Sequence, residues 1–182
     1  MTPDEELAYH YFLTGMVARD LGLEPGCDDE ALAHALAREL GLHAGFRGPG
    51  LVAGIQRRWP QFEFTLDYVA LGTAAIFGSI YNAGHGKHIL AVRSDIAEAA
   101  RDRTIYHEVK HALRGEALPH AELTVLHDDG VLSPIEIGAE RFARVMHRLS
   151  AGDLSSTLPL DAAARAPRGV RQFRALRARR DG

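Results

Sequence analysis

The chain has 182 residues, 46% hydrophobic and 25% charged. That suits one ordinary domain with a buried core and excludes a disordered or fibrous chain. No apolar run reaches the ~20 residues of a membrane-spanning helix, and the net charge of −3 gives the molecule as a whole no pull toward nucleic acid.

The acidic start Thr2-Pro3-Asp4-Glu5-Glu6 has no basic or apolar stretch of a secretion signal. Cys27 is the single cysteine, so no internal disulfide can form. Both features predict a cytoplasmic protein. Residues from about Asp4 to Leu21 predict a helix with Leu7, Tyr11, Met16 and Val17 toward one side. Gly22, Pro25 and Gly26 end it. Asp28-Asp29-Glu30 opens a second helix, with acids at the positive end of its dipole, that closes near Gly41. Gly45, Gly48, Pro49 and Gly50 predict a loop, and Leu51 to Trp59 a short helix stopped by Pro60.

The period then changes from helical to alternating. Phe62, Phe64, Leu66 and Tyr68 alternate with Glu63, Thr65 and Asp67, as in a half-buried strand. Thr73 to Tyr81 predicts a second strand, Asn82-Ala83-Gly84-His85-Gly86 a turn, and His88 to Val92 a third strand, the last two forming a hairpin. A helix follows from about Ala100 to Leu113, with Gly115 as its C-cap. A loop rich in His and Asp runs to Pro134. The last clear helix spans Ile135 to Leu149 and places Ile135, Ala139, Phe142, Met146 and Leu149 on its apolar face.

Seven arginines lie between Arg165 and Arg180, with Val170, Phe173 and Leu176 spaced among them. This basic tail reads as a short amphipathic helix that could dock on the acidic N-terminal half, an acidic partner or nucleic acid, with a solvated or self-docking helix as the plain reading. No base-reading motif favours nucleic acid. The pattern predicts an α+β protein with a small antiparallel or mixed sheet. Residues 1–160 form one domain, 1–60 its helical part, and 161–182 the tail.

His107-Glu108-Val109-Lys110-His111 carries the chemistry. Helix positions four apart share a face, so two imidazoles can meet one metal ion while Glu108, one step round, reaches a water on it. Ile105, Val109, Ala112 and Leu113 make a separate core face. Two solvated histidines on an amphipathic helix are the plain alternative. Lys110 is charged where the variable pair of such helices is usually uncharged, which departs from the pattern, though its side chain can still point outward. Candidates for a third ligand are Glu116, His120, His127, Asp128, Asp129, Glu136 and Glu140. Glu136 and Glu140 share a face of the last helix, so one could ligate while the other orients a ligating histidine. Cys27 could cap a zinc, and His85 with His88 could form a second metal pair. A loop cysteine and an ordinary hairpin are the simpler readings.

The segment from Ser79 to Leu149 resembles the ImmA/IrrE group of small zinc peptidases. The matching stretches are His88-Ile-Leu-Ala-Val92, then Arg103-Thr-Ile-Tyr-His107-Glu-Val-Lys-His111, then Glu136-Ile-Gly-Ala-Glu140-Arg-Phe-Ala143. The resemblance implies a zincin-like core and a Zn²⁺ held by His107, His111 and Glu136, with Glu108 as general base in peptide hydrolysis. It departs from the family's pattern at Lys110 and at Glu140, where an Asn is common. It also implies an intracellular protein or peptide substrate, such as a transcriptional repressor. Tyr106, His120, His127 and His147 are candidates by type for the donor that meets the oxyanion. By the family's layout the strand His88–Val92 could offer a free edge to an extended peptide, and a plain buried strand is the equal alternative. A non-catalytic regulatory or protein-binding module on the same core is the other class of function, and it gives Glu108 no chemical role.

Overall fold

Three helices lead the chain. The computed structural model describes residues 2–24, 26–70, 77–119 and 133–153. In it α1 covers Pro3–Asp20, α2 Asp29–Glu39 and α3 Gly48–Arg58. A capping box starts α1: Thr2 Oγ1 accepts from the Glu5 N–H, and the Glu5 carboxylate accepts from the Thr2 N–H at 2.6 Å. Its buried face is His10, Leu13, Val17 and Leu21, whereas Tyr11, expected on that face, is 62% exposed. A histidine in the core position displaces the stripe that apolar residues alone would define.

α2 begins where predicted, with the Asp28 side chain accepting from the Glu30 N–H at 3.0 Å. α3 begins three residues earlier than predicted. Pro49 sits in its first turn, where a missing N–H costs nothing. The cap comes from a distant helix, α4 (Glu98–Arg114). Asp102 Oδ1 accepts from the Gly48 N–H at 2.9 Å, and the other oxygen pairs with Arg47. Asp102→Ala is therefore expected to lower stability by about 1–3 kcal/mol, through a lost cap and an unsatisfied N–H. An unchanged midpoint in urea denaturation would show that this cap contributes nothing.

The sheet is mixed. β1 (Glu63–Val69), β2 (Gly78–Gly84), β3 (Lys87–Arg93) and the two-residue β4 (Leu118–Pro119) lie in the order β1-β3-β2-β4. β1 runs parallel to β3 with Leu66 opposite Leu90, and β2 antiparallel to β3 with Ile80 opposite Leu90. β4 meets β2 only at Tyr81 and Asn82. The hairpin turn is tighter than predicted: β2 runs to Gly84, leaving His85 and Gly86 at φ 54° and 77°. Two positive φ values in succession are the type I′ geometry that follows the twist of a hairpin. β3 lies between β1 and β2, so it offers no free edge and is the plain buried strand of the two alternatives. Of the predicted strand Thr73–Tyr81, residues 73–76 fall outside the described residues.

α4 packs on β2 and β3 on one side and on α5 (Pro134–Ser150) on another, and α2 packs against α5. The core runs from Trp59, Phe62 and Leu90 through Ile105 and Val109 to Phe142 and Met146. Ile135, predicted on the apolar face of α5, is 48% exposed. The buried stripe of α5 begins at Gly138 and Ala139. No helix among the described residues is long and apolar enough to cross a membrane. The architecture is α+β. The basic tail lies outside the described residues.

A second histidine pair lies inside this core. His88, 1% exposed, is surrounded by the rings of Phe62, Phe64 and His10, with centroids 5.7, 5.3 and 5.8 Å away. Its Nδ1 donates to the Gly86 carbonyl at 3.0 Å, and neither its Nε2 nor that of His10 has a described partner. His85 is exposed in the turn. The two members of the H-x-x-H pair therefore face opposite ways and form no joint site. Burial, followed by the neighbouring His10, pushes His88 down from 6.5 to about 4. The unfolded chain takes up this proton below pH ~6.5 and the folded chain refuses it until about pH 4. Stability is thus complete above pH ~6.5 and falls as pH drops toward 4, by at most about 3 kcal/mol. Urea denaturation of the wild type and of His88→Leu at a series of pH values tests this. The wild type should lose more across the window, and parallel profiles would contradict the assignment.

Candidate metal centre

α4 divides its faces as the sequence predicts. Ile105, Val109, Ala112 and Leu113 are buried, while His107 and His111 stand together one turn apart. Their Nε2 atoms are 3.2 Å from each other. The third group comes from the first turn of α5, which Ser133 caps by accepting the Glu136 N–H at 3.2 Å. Glu136 Oε2 lies 3.1 Å from His107 Nε2, and Oε1 lies 3.5 Å from His111 Nε2. The three donors lie within 4.8 Å of one another, so His107, His111 and Glu136 form a group that could hold a metal ion.

Each histidine is set by a carboxylate on its far nitrogen. His107 Nδ1 is 3.3 Å from Glu140 Oε1, and Arg103 binds the other oxygen of Glu140 at 2.5 Å. His111 Nδ1 is 3.0 Å from Glu116 Oε2, which Lys110 Nζ meets at 2.7 Å. A carboxylate accepts, so each ring can carry an N–H on Nδ1 and, when a metal replaces the proton on Nε2, turn an Nε2 lone pair inward; without a metal, His107 Nε2 donates to Glu136 Oε2. This is the arrangement that orients metal-binding histidines and raises their basicity. Two lone pairs at 3.2 Å repel unless a cation lies between them. A tetrahedral ion with metal–nitrogen bonds of 2.0–2.1 Å holds two such nitrogens about 3.3 Å apart. The donor set and its spacing therefore fit a metal such as zinc.

The electrostatics point the same way. Glu108, Glu116, Glu136 and Glu140 surround two imidazoles. Burial alone would lower His107, but its hydrogen bonds to Glu136 and Glu140 outweigh it and raise the ring to about 10. The His107 contact, opposed by burial and helped by Arg103, takes Glu140 down to about 2. Glu136 also falls: burial would raise it, and the hydrogen bond from His107 overcomes that. The cluster is short of positive charge, and a proton or a dication makes up the deficit.

Glu108 differs from the other three. It is 8% exposed. Burial raises its carboxyl above the usual range, against the pull of His107 and His111. No hydrogen bond ties it to a described neighbour. Gly78 makes room for it: a Cβ there would overlap the Thr104 methyl, lie 3.0 Å from the Ala91 carbonyl, and touch Glu108 Cγ at 3.7 Å. A glycine at this position lets α4 approach β2 closely enough to set Glu108 beside the sheet.

The remaining expectations divide. Of the two α5 carboxylates, Glu136 reaches both Nε2 atoms and Glu140 reaches the outer nitrogen of His107. Glu116, considered as a ligand, orients His111 instead. Gly115 at φ 76° closes α4, and the Glu116 N–H returns to the His111 carbonyl at 2.8 Å, folding the side chain back onto the helix. Lys110 does not point outward. It is 1% exposed, with Nζ on Glu116 and on the Ile135 carbonyl. Tyr106 is buried with its hydroxyl donating to the Phe46 carbonyl, and His147 is exposed near the far end of α5 beside Arg47, so neither faces the centre. Cys27 accepts from Arg114 through its carbonyl and sulfur, apart from the donor group. His120, His127, Asp128 and Asp129 lie outside the described residues. No family model, curated protein or solved structure matches the chain. The likeness to the ImmA/IrrE peptidases rests on the motif residues alone.

Proposed function

We propose that the protein is a zinc-dependent metallopeptidase built on a zincin-like core. The observation that carries this reading is the placement of Glu108. An unbonded carboxylate stands beside a three-donor cluster in which both histidines are already oriented. A purely structural or metal-storage site has no use for that fourth, unpaired acid.

His107, His111 and Glu136 would be the ligands. Zn²⁺ in such a set supplies a Lewis acid and brings the pKa of a water down toward ~7. Glu140 and Glu116 keep the two Nε2 lone pairs aimed inward. Glu108 accepts the proton of the attacking water and passes it to the leaving amine. The edge that could pair with an extended substrate is β2 at Gly78–Ile80, which has no strand partner on its outer side among the described residues and adjoins Glu108. The substrate would be an intracellular protein or peptide in the cytoplasm. A transcriptional repressor is the kind the resemblance implies.

Incubation of the zinc-loaded chain with an unstructured protein or a mixed peptide library tests the activity. Cleavage is expected, with loss on chelation and in Glu108→Gln. A wild type that holds zinc and cleaves nothing that Glu108→Gln does not cleave would favour the non-catalytic module.

A further inference from the structure

Lys110 is the one residue of the motif whose chemistry the proposed reaction leaves unused. Its ammonium has three protons and three acceptor contacts. These are Glu116 Oε1 at 3.0 Å, Glu116 Oε2 at 2.7 Å and the Ile135 carbonyl at 3.1 Å. Complete pairing is what makes a buried ammonium tolerable. It does not explain the charge, because a buried ion pair is commonly no more stabilising than apolar side chains of the same volume. A methionine would fill the same space between α4 and α5 without desolvating an ion.

The partners give the reason. Glu116 Oε2 accepts from Lys110 and from His111 Nδ1 together. Ile135, whose carbonyl takes the third bond, immediately precedes Glu136 in the first turn of α5. One ammonium therefore touches the carboxylate that aims one ligand and the main chain that carries another. The opposite helix leaves room for it: a Cβ on Gly138 would lie 3.2 Å from Lys110 Nζ and would overlap the Asp29 carboxylate. On the other histidine, the exposed Arg103 plays the corresponding part through Glu140.

We propose that Lys110 is a positioning residue of the metal centre, a buried brace that fixes the Glu116–His111 pair and the Glu136 turn relative to each other. The proposal rests on the three-ligand reading above. It assigns Lys110 a role in metal affinity and coordination geometry, with no contact to substrate.

A double-mutant cycle tests it. Zinc affinity by chelator competition and the visible spectrum of the cobalt(II)-loaded protein are measured for wild type, Lys110→Met, Glu116→Gln and the double variant. Each single variant is expected to bind zinc about 10–100-fold more weakly and to alter the cobalt bands, as lost outer contacts to a ligand do. The double variant should lose little more than the weaker-binding single one, because Lys110 and Glu116 share one network of contacts to the ligands. Wild-type affinity and spectrum in Lys110→Met, or losses that multiply in the double variant, overturn the brace. Should Lys110→Met fail to fold, Glu116→Gln decides: its carboxylate is at the surface end of the chain of contacts, and unchanged zinc affinity there overturns the proposal. A wild type that binds neither metal removes the metal centre itself, a result separate from a wild type that binds and variants that match it.

Discussion

Glu136→Ala is expected to leave the fold intact and to remove stoichiometric zinc. The side chain is 36% exposed, so its loss opens no core cavity. Its two oxygens are the contacts that α5 makes to both Nε2 atoms. Without them two histidines remain as ligands, one short of the three protein ligands of such a site. Glu140→Ala is the comparison. Glu140 meets only the outer nitrogen of His107, so its removal should weaken zinc binding by about 10–100-fold while keeping the site. Metal analysis after dialysis separates the two. Equal retention in both variants would mean that Glu136 is no ligand, and the reverse order would exchange their roles.

Glu108→Gln should keep the zinc and lose the chemistry. The substitution preserves shape in a buried position, and Glu108 has no structural hydrogen bond to lose. A glutamine cannot accept the proton of a water. General acid–base catalysis contributes about 10²–10⁴-fold, so hydrolysis should fall by that factor at unchanged zinc content. Cleavage at the wild-type rate would take Glu108 out of the reaction. A simultaneous loss of zinc would instead assign it to holding the site together.

What the sequence makes legible follows how local each signal is. α4 and α5 are readable because their periodicity and caps are short-range: Gly115 ends one and Ser133 with Pro134 starts the other. His107 and His111 share a face by helix geometry alone. Glu136 and Glu140 are equivalent by the same geometry, and only the approach of α5 to α4 decides which one faces both Nε2 atoms. The start of α3 is hidden because its cap is Asp102, fifty-four positions away. The buried face of α1 is hidden because His10 counts as polar until His88 is packed beside it. The central place of β3 is a matter of strand order, which no local pattern encodes.

Lys110 is the most instructive case. A lysine in a helix is ordinarily solvated, and the neighbouring residues give no contrary sign. Its burial depends on three things at once. Gly115 must turn the chain so that Glu116 returns to the helix. The first turn of α5 must present the Ile135 carbonyl. Gly138 must leave the space a side chain would fill. None of these is a property of the pentapeptide, and together they turn its least typical residue into part of the frame around the site.

The central claim is that His107, His111 and Glu136 hold one metal ion. X-ray absorption at the zinc edge of the purified, zinc-loaded chain, with metal content measured on the same sample, addresses it directly. The account predicts one zinc per chain with a first shell of nitrogen and oxygen at about 2.0–2.2 Å, including the outer-shell signature of two imidazoles. A sample that retains no zinc, or a first shell containing sulfur at about 2.3 Å from Cys27, would contradict it.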